Sequence, residues 1–297
     1  MPSTAIRSTR IGFYYQDLYA ILVFLSNYEA KRKMEKFFVD FEYDSTNKKS
    51  YDLLVELIDN SGVPTQEVYE VKTGQYFKEK TGLVFETVAD YAKLRKNSVL
   101  SINDKSTVII SKDRAVAVRN FRDHAQRLHH YTTLSTEDAQ SALQYFKDKL
   151  SSDCYDSDDD LHTSIRAIVF EEGSPLTAIA GDPDSDIKDN VREKVRRVAR
   201  NLPISFPNPI AFLEDMLIHE LLSIIQSKAG TQESLIDEFR SAMINYYARY
   251  KLQTEGISPG SGGSLELACN DIEQLMNVYE GVAIPAETTQ TEGGEVS

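Results

Sequence analysis

The sequence predicts a mixed α/β (α+β) protein: a helix, a three-stranded β-meander, a second helix and a fourth strand, followed by a mostly α-helical C-terminal region. Three observations point to it. Apolar and aromatic groups recur at three- and four-residue spacing from Ile11 to about Tyr28. Three strand-like runs follow, joined by short polar segments of the kind that connect antiparallel neighbours. After about residue 115 the spacing is almost entirely helical.

In order along the chain, Phe13, Tyr14, Leu18, Ile21, Leu22 and Leu25 mark the first helix. Lys36–Tyr43 is aromatic and alternating, Tyr51–Ile58 is apolar with acids at two positions, and Glu67–Thr73 alternates strictly, so each reads as a strand. A helix from about Thr81 to Lys96 carries Leu83, Val84, Val88, Tyr91 and Leu94 on one face. Thr107–Ser111 is a short continuous apolar run, the pattern of a buried central strand. Helices are then expected at Ala115–His130, Thr136–Leu150, Asp186–Asn201, Pro209–Lys228, Gln232–Leu252 and Leu265–Tyr279, with one more strand at Thr163–Glu171 and an exposed acidic loop at Asp153–Asp160. The composition divides the chain into a flexible N-terminus (1–10), a sheet-bearing domain (11–150), a mainly helical regulatory or oligomerisation region (151–282) and a disordered tail (283–297).

With 297 residues, 41% hydrophobic and 27% charged, the chain is long enough for a large core, and 16 Tyr and 13 Phe fill it in the absence of Trp. No uncharged apolar stretch of membrane-spanning length occurs, and the N-terminus has no apolar signal core. Two distant cysteines, Cys154 and Cys269, make neither a disulfide framework nor a zinc site, and a reducing cytoplasm is expected. The net charge of −13 is unevenly spread. Residues 1–100 carry 14 Lys+Arg and 14 Asp+Glu, residues 101–150 carry 8 and 6, and residues 151–297 carry 11 and 26. The first half therefore stays compatible with a phosphate backbone, because binding depends on the local field.

The chemistry-bearing constellation is in the meander. Glu70 and Lys72 point to one side of their strand, and an antiparallel neighbour brings Asp52 across from them. Two carboxylates can hold Mg²⁺ (or Mn²⁺) while phosphate and water complete its octahedron, and the ammonium can serve the attacking water and the growing negative charge. The opposing reading is a solvated sheet face with cross-strand ion pairs. Glu42 is either a supporting metal ligand or surface charge. Glu56 shares Asp52's face but lies further along, and reads as structural. Lys112, Arg114, Arg119, Arg122 and Arg127 form a basic run suited to phosphate contacts that position DNA without reading sequence, or to a solvated helix face.

An acid in one strand followed by Glu-x-Lys in the next, here Asp52 with Glu70-Val71-Lys72, resembles the PD-(D/E)xK nuclease superfamily. The opening helix, Gly12-Phe13-Tyr14-Tyr15-Gln16 followed by Leu18-Tyr19-Ala20, is similar to the Gly-x-x-Tyr-Gln opening of the nuclease domain in CBASS effector endonucleases and in the Lamassu nuclease subunit. The resemblance spans roughly residues 10–112. It implies a restriction-endonuclease-like core within 11–150, a Mg²⁺-dependent DNA endonuclease, and catalytic roles for Asp52, Glu70, Lys72 and Gln16. It further implies double-stranded DNA as substrate and a place in anti-phage defence. The helical region is too short for a full cyclic-oligonucleotide sensor, so a separate sensor or SMC-like ATPase subunit, or a homo-oligomer, is the expected partner. The rival expectation is a catalytically degenerate nuclease-fold adaptor that binds a partner through its helices; RNA cleavage at the same site is a third.

Other motifs carry nothing. His219-Glu220 lacks the second histidine of a zinc protease helix, since position 223 is Ser, and no Gly-rich phosphate loop precedes a helix. The run Arg192–Arg200 lies beside local acids that it would balance.

Overall fold

Residues 4–44, 49–59, 61–72, 82–101, 103–111, 119–173, 187–202, 210–258 and 263–281 are described by the structure, a computed structural model. Five strands form one mixed sheet in the order β1 (Lys33–Asp44), β2 (Lys49–Ile58), β3 (Pro64–Lys72), β4 (Lys105–Ser111) and β5 (Ile168–Gly173). The first three are antiparallel neighbours, as the short connections require, whereas β4 and β5 pair in parallel with their predecessors. The β2–β3 turn is closed by the Asp59 carboxylate, which accepts from the backbone N–H groups of Ser61 and Val63, both at 2.8 Å, and by Gly62 at φ +81°.

Helices cover both sheet faces. On one, α2 (Gly82–Lys96), α3 (Arg119–His130), α4 (Glu137–Lys147) and α5 (Asp158–Arg166) pack Phe85, Tyr91, Phe121, Phe146 and Leu161 against Phe38, Leu54, Val68, Val108 and Ile168. On the other, α1 (Thr4–Glu29), α6 (Ile187–Asn201), α7 (Ala211–Lys228), α8 (Ile236–Thr254) and α9 (Ser264–Glu280) enclose Phe37, Val39, Leu53, Val55, Val71 and Ile109. From Tyr15 to Tyr28, α1 is buried on almost every side, which explains why its apolar residues are not confined to one stripe. Among the described residues no helix is long and apolar enough to cross a membrane.

Three expectations are corrected. Helix α1 begins at Thr4 and not at Ile11, so most of the segment expected to be a flexible N-terminus is helical. Residues 158–166, expected partly as acidic loop and partly as strand, form α5. The Ser157 side chain caps the Asp160 N–H at 3.1 Å, and Asp158, Asp159 and Asp160 occupy the first turn, where acids favour a helix start. Only the end of the expected strand survives, as β5. The boundary at 150 does not follow the packing, because β5 completes the sheet and α5 shares a core with α2 and α3. The tail 283–297 lies outside the described residues.

The C-terminal helices are fastened to the sheet by aromatic and ionic contacts. Phe239 of α8 lies edge-on to Phe24 of α1 at 4.9 Å between ring centroids and 5.8 Å from Phe37 of β1. The fully buried Glu214 of α7 accepts two hydrogen bonds from Arg196 of α6, both at 2.8 Å. Replacing Phe239, which is fully buried, with Ala should cost about 3–5 kcal/mol through lost transfer energy and the cavity left behind. Chemical denaturation followed by far-ultraviolet circular dichroism checks this; a loss under about 1 kcal/mol would mean that α8 is not seated on the sheet.

Candidate functional site

The site forms where β2 and β3 part. Their ladder runs from Ile58–Pro64 to Leu53–Tyr69. One residue further, the Asp52 carboxylate takes the place of a backbone acceptor, and the Val71 N–H donates to its Oδ2 at 2.6 Å. Beyond that point β3 is still held on its other side by β4, through Glu70–Val108, Val71–Ile109 and Lys72–Ile110. The Gln16 side chain of α1 donates to the Val71 carbonyl at 3.3 Å, close enough to the Asp52 carboxylate to favour its charged form. On the same face of β3, Lys72 Nζ is ion-paired with Glu70 Oε2; the two side chains are only 24% and 13% exposed.

Strand geometry brings further acids. Asp40 of β1 lies between the Val39–Leu53 and Phe41–Tyr51 pairs, at the level of Asp52, and has a left-handed backbone at φ +52°. Aspartate tolerates that region better than most residues. Both strands change face there. Val39 and Leu53 join the core under α1, whereas Phe41 and Tyr51 join the core under α2. The regular alternation that would place Asp52 beside Leu54 is thus interrupted, and Asp52 turns into the β2–β3 gap.

Charge at this edge is dominated by carboxylates. Burial raises the pKa of Asp52, against the pull of Lys72, the Val71 N–H and Gln16. Burial, with Asp52 second, pushes Glu70 up to about 7, against Lys72. Burial alone would lower Lys72, but Glu70 and Asp52 outweigh it and hold the ammonium above its ordinary value. Burial and the adjacent Asp52 raise Asp40. Burial and Asp40 push Asp17, the residue after Gln16, up to about 7, while a hydrogen bond to Gln226 of α7 opposes the shift. Asp90 of α2 adds to the field at Glu70. Several acids around one lysine form a pocket of negative potential that a cation would relieve.

Among the described residues no three His, Cys, Asp or Glu side chains form a ready-made metal cage. The donor set suits Mg²⁺ nonetheless, since that ion takes one or two carboxylates and keeps several waters. Asp52, Glu70 and the Val71 carbonyl supply hard oxygens. Two buried phenol oxygens, Tyr51 Oη and Tyr91 Oη, lie within the electrostatic reach of Glu70 and have no hydrogen-bond partner among the described residues. Unsatisfied polar groups at such a place fit a site whose ligand completes them. Glu70 pairs with Lys72 through Oε2, so a cation bound at that oxygen would displace the ammonium.

Of the sequence-derived candidates, Asp52, Glu70, Lys72 and Gln16 converge. Glu42 does not join them: it is exposed, opposite Ser50, and the β1 carboxylate beside Asp52 is Asp40. Glu56 pairs with Lys36 at 2.8 Å, the structural role expected of it. Lys112 and Arg114 lie outside the described residues. Arg119 is exposed and Arg122 half-buried on α3, while Arg127 faces Asp138 at 3.6 Å. Arg192, Arg196, Arg197 and Arg200 balance Asp189, Asp215, Glu214 and Glu193. Asp17, Asp40, Asp90 and Tyr91 were not singled out as site residues from the sequence; the one local signal was Asp17 following Gln16.

A carboxyl whose folded pKa lies above its unfolded value costs stability once pH rises through the folded pKa, and costs nothing below the unfolded one. Asp17→Asn should therefore raise Tm at pH 8, and the gain should vanish as pH falls towards 4. Differential scanning fluorimetry across that range checks it; an equal effect at both ends would contradict the burial of Asp17.

Compared with family models, curated proteins and solved structures, the chain has no match.

Proposed function

We propose that the protein is a Mg²⁺-dependent DNA endonuclease built on a restriction-endonuclease-like core. The observation that carries this reading is the meeting of Asp52, Glu70 and Lys72 at the parted end of β2 and β3, with Gln16 of the opening helix fastened to the same point. The order helix, meander, helix, parallel strand agrees with the PD-(D/E)xK resemblance.

Asp52 and Glu70 would hold the ion, with the Val71 carbonyl as a further oxygen. Bound there, Mg²⁺ or Mn²⁺ would polarise a phosphoryl oxygen and acidify a coordinated water. The Val71 N–H holds the Asp52 carboxylate and Gln16 holds the Val71 carbonyl, so little reorganisation is needed when substrate arrives. Lys72 stays protonated beside two acids. Released from Glu70, its ammonium can orient the attacking water and stabilise the negative charge that grows on the phosphate. Strand β4 ends at Ser111, one residue past the partner of Lys72, and the basic run Lys112, Arg114, Arg119 and Arg122 that follows it in sequence would contact the DNA backbone.

The biological setting follows from the resemblance: a cytoplasmic effector subunit of an anti-phage system, silent until a sensor or SMC-like ATPase partner, or oligomerisation, releases it. The Lys72–Glu70 pair fits a resting state. The same pair also favours the second reading, a nuclease-fold adaptor whose acids no longer bind metal.

Plasmid nicking separates them. With Mg²⁺ the wild type should cleave, EDTA should abolish cleavage, and Lys72→Ala should lower the rate at least about 100-fold with circular dichroism unchanged. Wild type that stays inert with Mg²⁺ and with the products of neighbouring genes, or Lys72→Ala that cleaves normally, would overturn the nuclease reading.

A further inference from the structure

Helix α7 is apolar on more than its buried side. Leu213, Leu217, Leu221 and Ile225 enter the core, yet Phe212 is 72% and Met216 40% exposed on the opposite side. Beside Met216 runs a groove of about 150 Å³ between α7 and α8, with Glu220 on one wall and Arg249 on the other. Neither charge is ion-paired with a described residue, although both border the same groove. The buried Tyr246 also lines it, and its hydroxyl has no hydrogen-bond partner among the described residues.

We infer that this face is a two-fold interface with a second copy of the chain. The argument is one of charge. Two unpaired, opposite charges beside an apolar strip are self-complementary under a two-fold axis: Glu220 of one copy meets Arg249 of the other, and the reciprocal pair forms by symmetry. Met216 and Phe212 lie on the same helix face at a spacing of four residues and would be covered together. The location is also electrostatically permissive. Residues 151–297 carry 11 Lys+Arg against 26 Asp+Glu, so most of this half would repel a second copy. Around the α7 face, by contrast, Lys188 is paired with Asp215 at 3.0 Å, and Glu220 offsets Arg249. A different partner protein is the alternative occupant.

The inference is independent of the chemistry at Asp52.

Sedimentation velocity on the full chain tests it. A species of twice 33.6 kDa should appear with rising concentration. Glu220→Arg alone, or Arg249→Glu alone, should weaken association at least about tenfold, since each places like charges opposite one another twice. The double variant Glu220→Arg with Arg249→Glu should restore it, and this restoration distinguishes a lost interface from a lost fold. A wild type that remains a 33.6 kDa monomer up to about 100 µM, where a micromolar association would be largely formed, would overturn the proposal. So would a dimer whose affinity neither single substitution changes, the result expected if another partner or another face is used.

Discussion

The hydrogen bond from the Val71 N–H to the Asp52 carboxylate sets the rest of the site. A strand interior satisfies its amides with a neighbouring backbone. At this point β3 receives a side chain instead, and the price is a charged group drawn into the end of a sheet. That placement requires β2 to leave the ladder after Leu53, and it brings Asp52 within reach of Gln16 on α1. It also leaves Glu70 and Lys72 facing the same opening, because β4 still fixes β3 through Lys72–Ile110. Alanine at 52 would leave the Val71 amide without its acceptor and remove the negative field that helps to raise Glu70.

The two-sided core makes this arrangement rigid. Helix α1, enclosed by the sheet and the C-terminal helices, brings Gln16 to one side of the site. Helix α2, packed on the opposite face, brings Asp90 and Tyr91 to the other. Gln226 of α7 lies near enough to Asp17 to oppose the rise of its pKa, so the C-terminal helices reach the edge of the site.

Much of this was legible in the sequence, and the parts that were not have local causes. Strict alternation in β3 placed Glu70 and Lys72 together, and helical spacing found most helices to within a few residues. Asp40 was invisible as a neighbour of Asp52 because both strands change face at that level, and periodicity arguments assume that they do not. The acidic run before Leu161 reads as a loop by charge density alone, yet the Ser157 cap makes the same acids favourable in a first helical turn. The fifth strand joins the sheet across three intervening helices, a pairing that no local pattern encodes.

Anomalous diffraction from crystals grown with Mn²⁺ addresses the metal site without depending on activity or partners. The account predicts a peak about 2.1–2.3 Å from carboxylate oxygens of both Asp52 and Glu70, with Lys72 withdrawn from Glu70. Lys72 still paired to Glu70, and no Mn²⁺ within reach of Asp52, would contradict it.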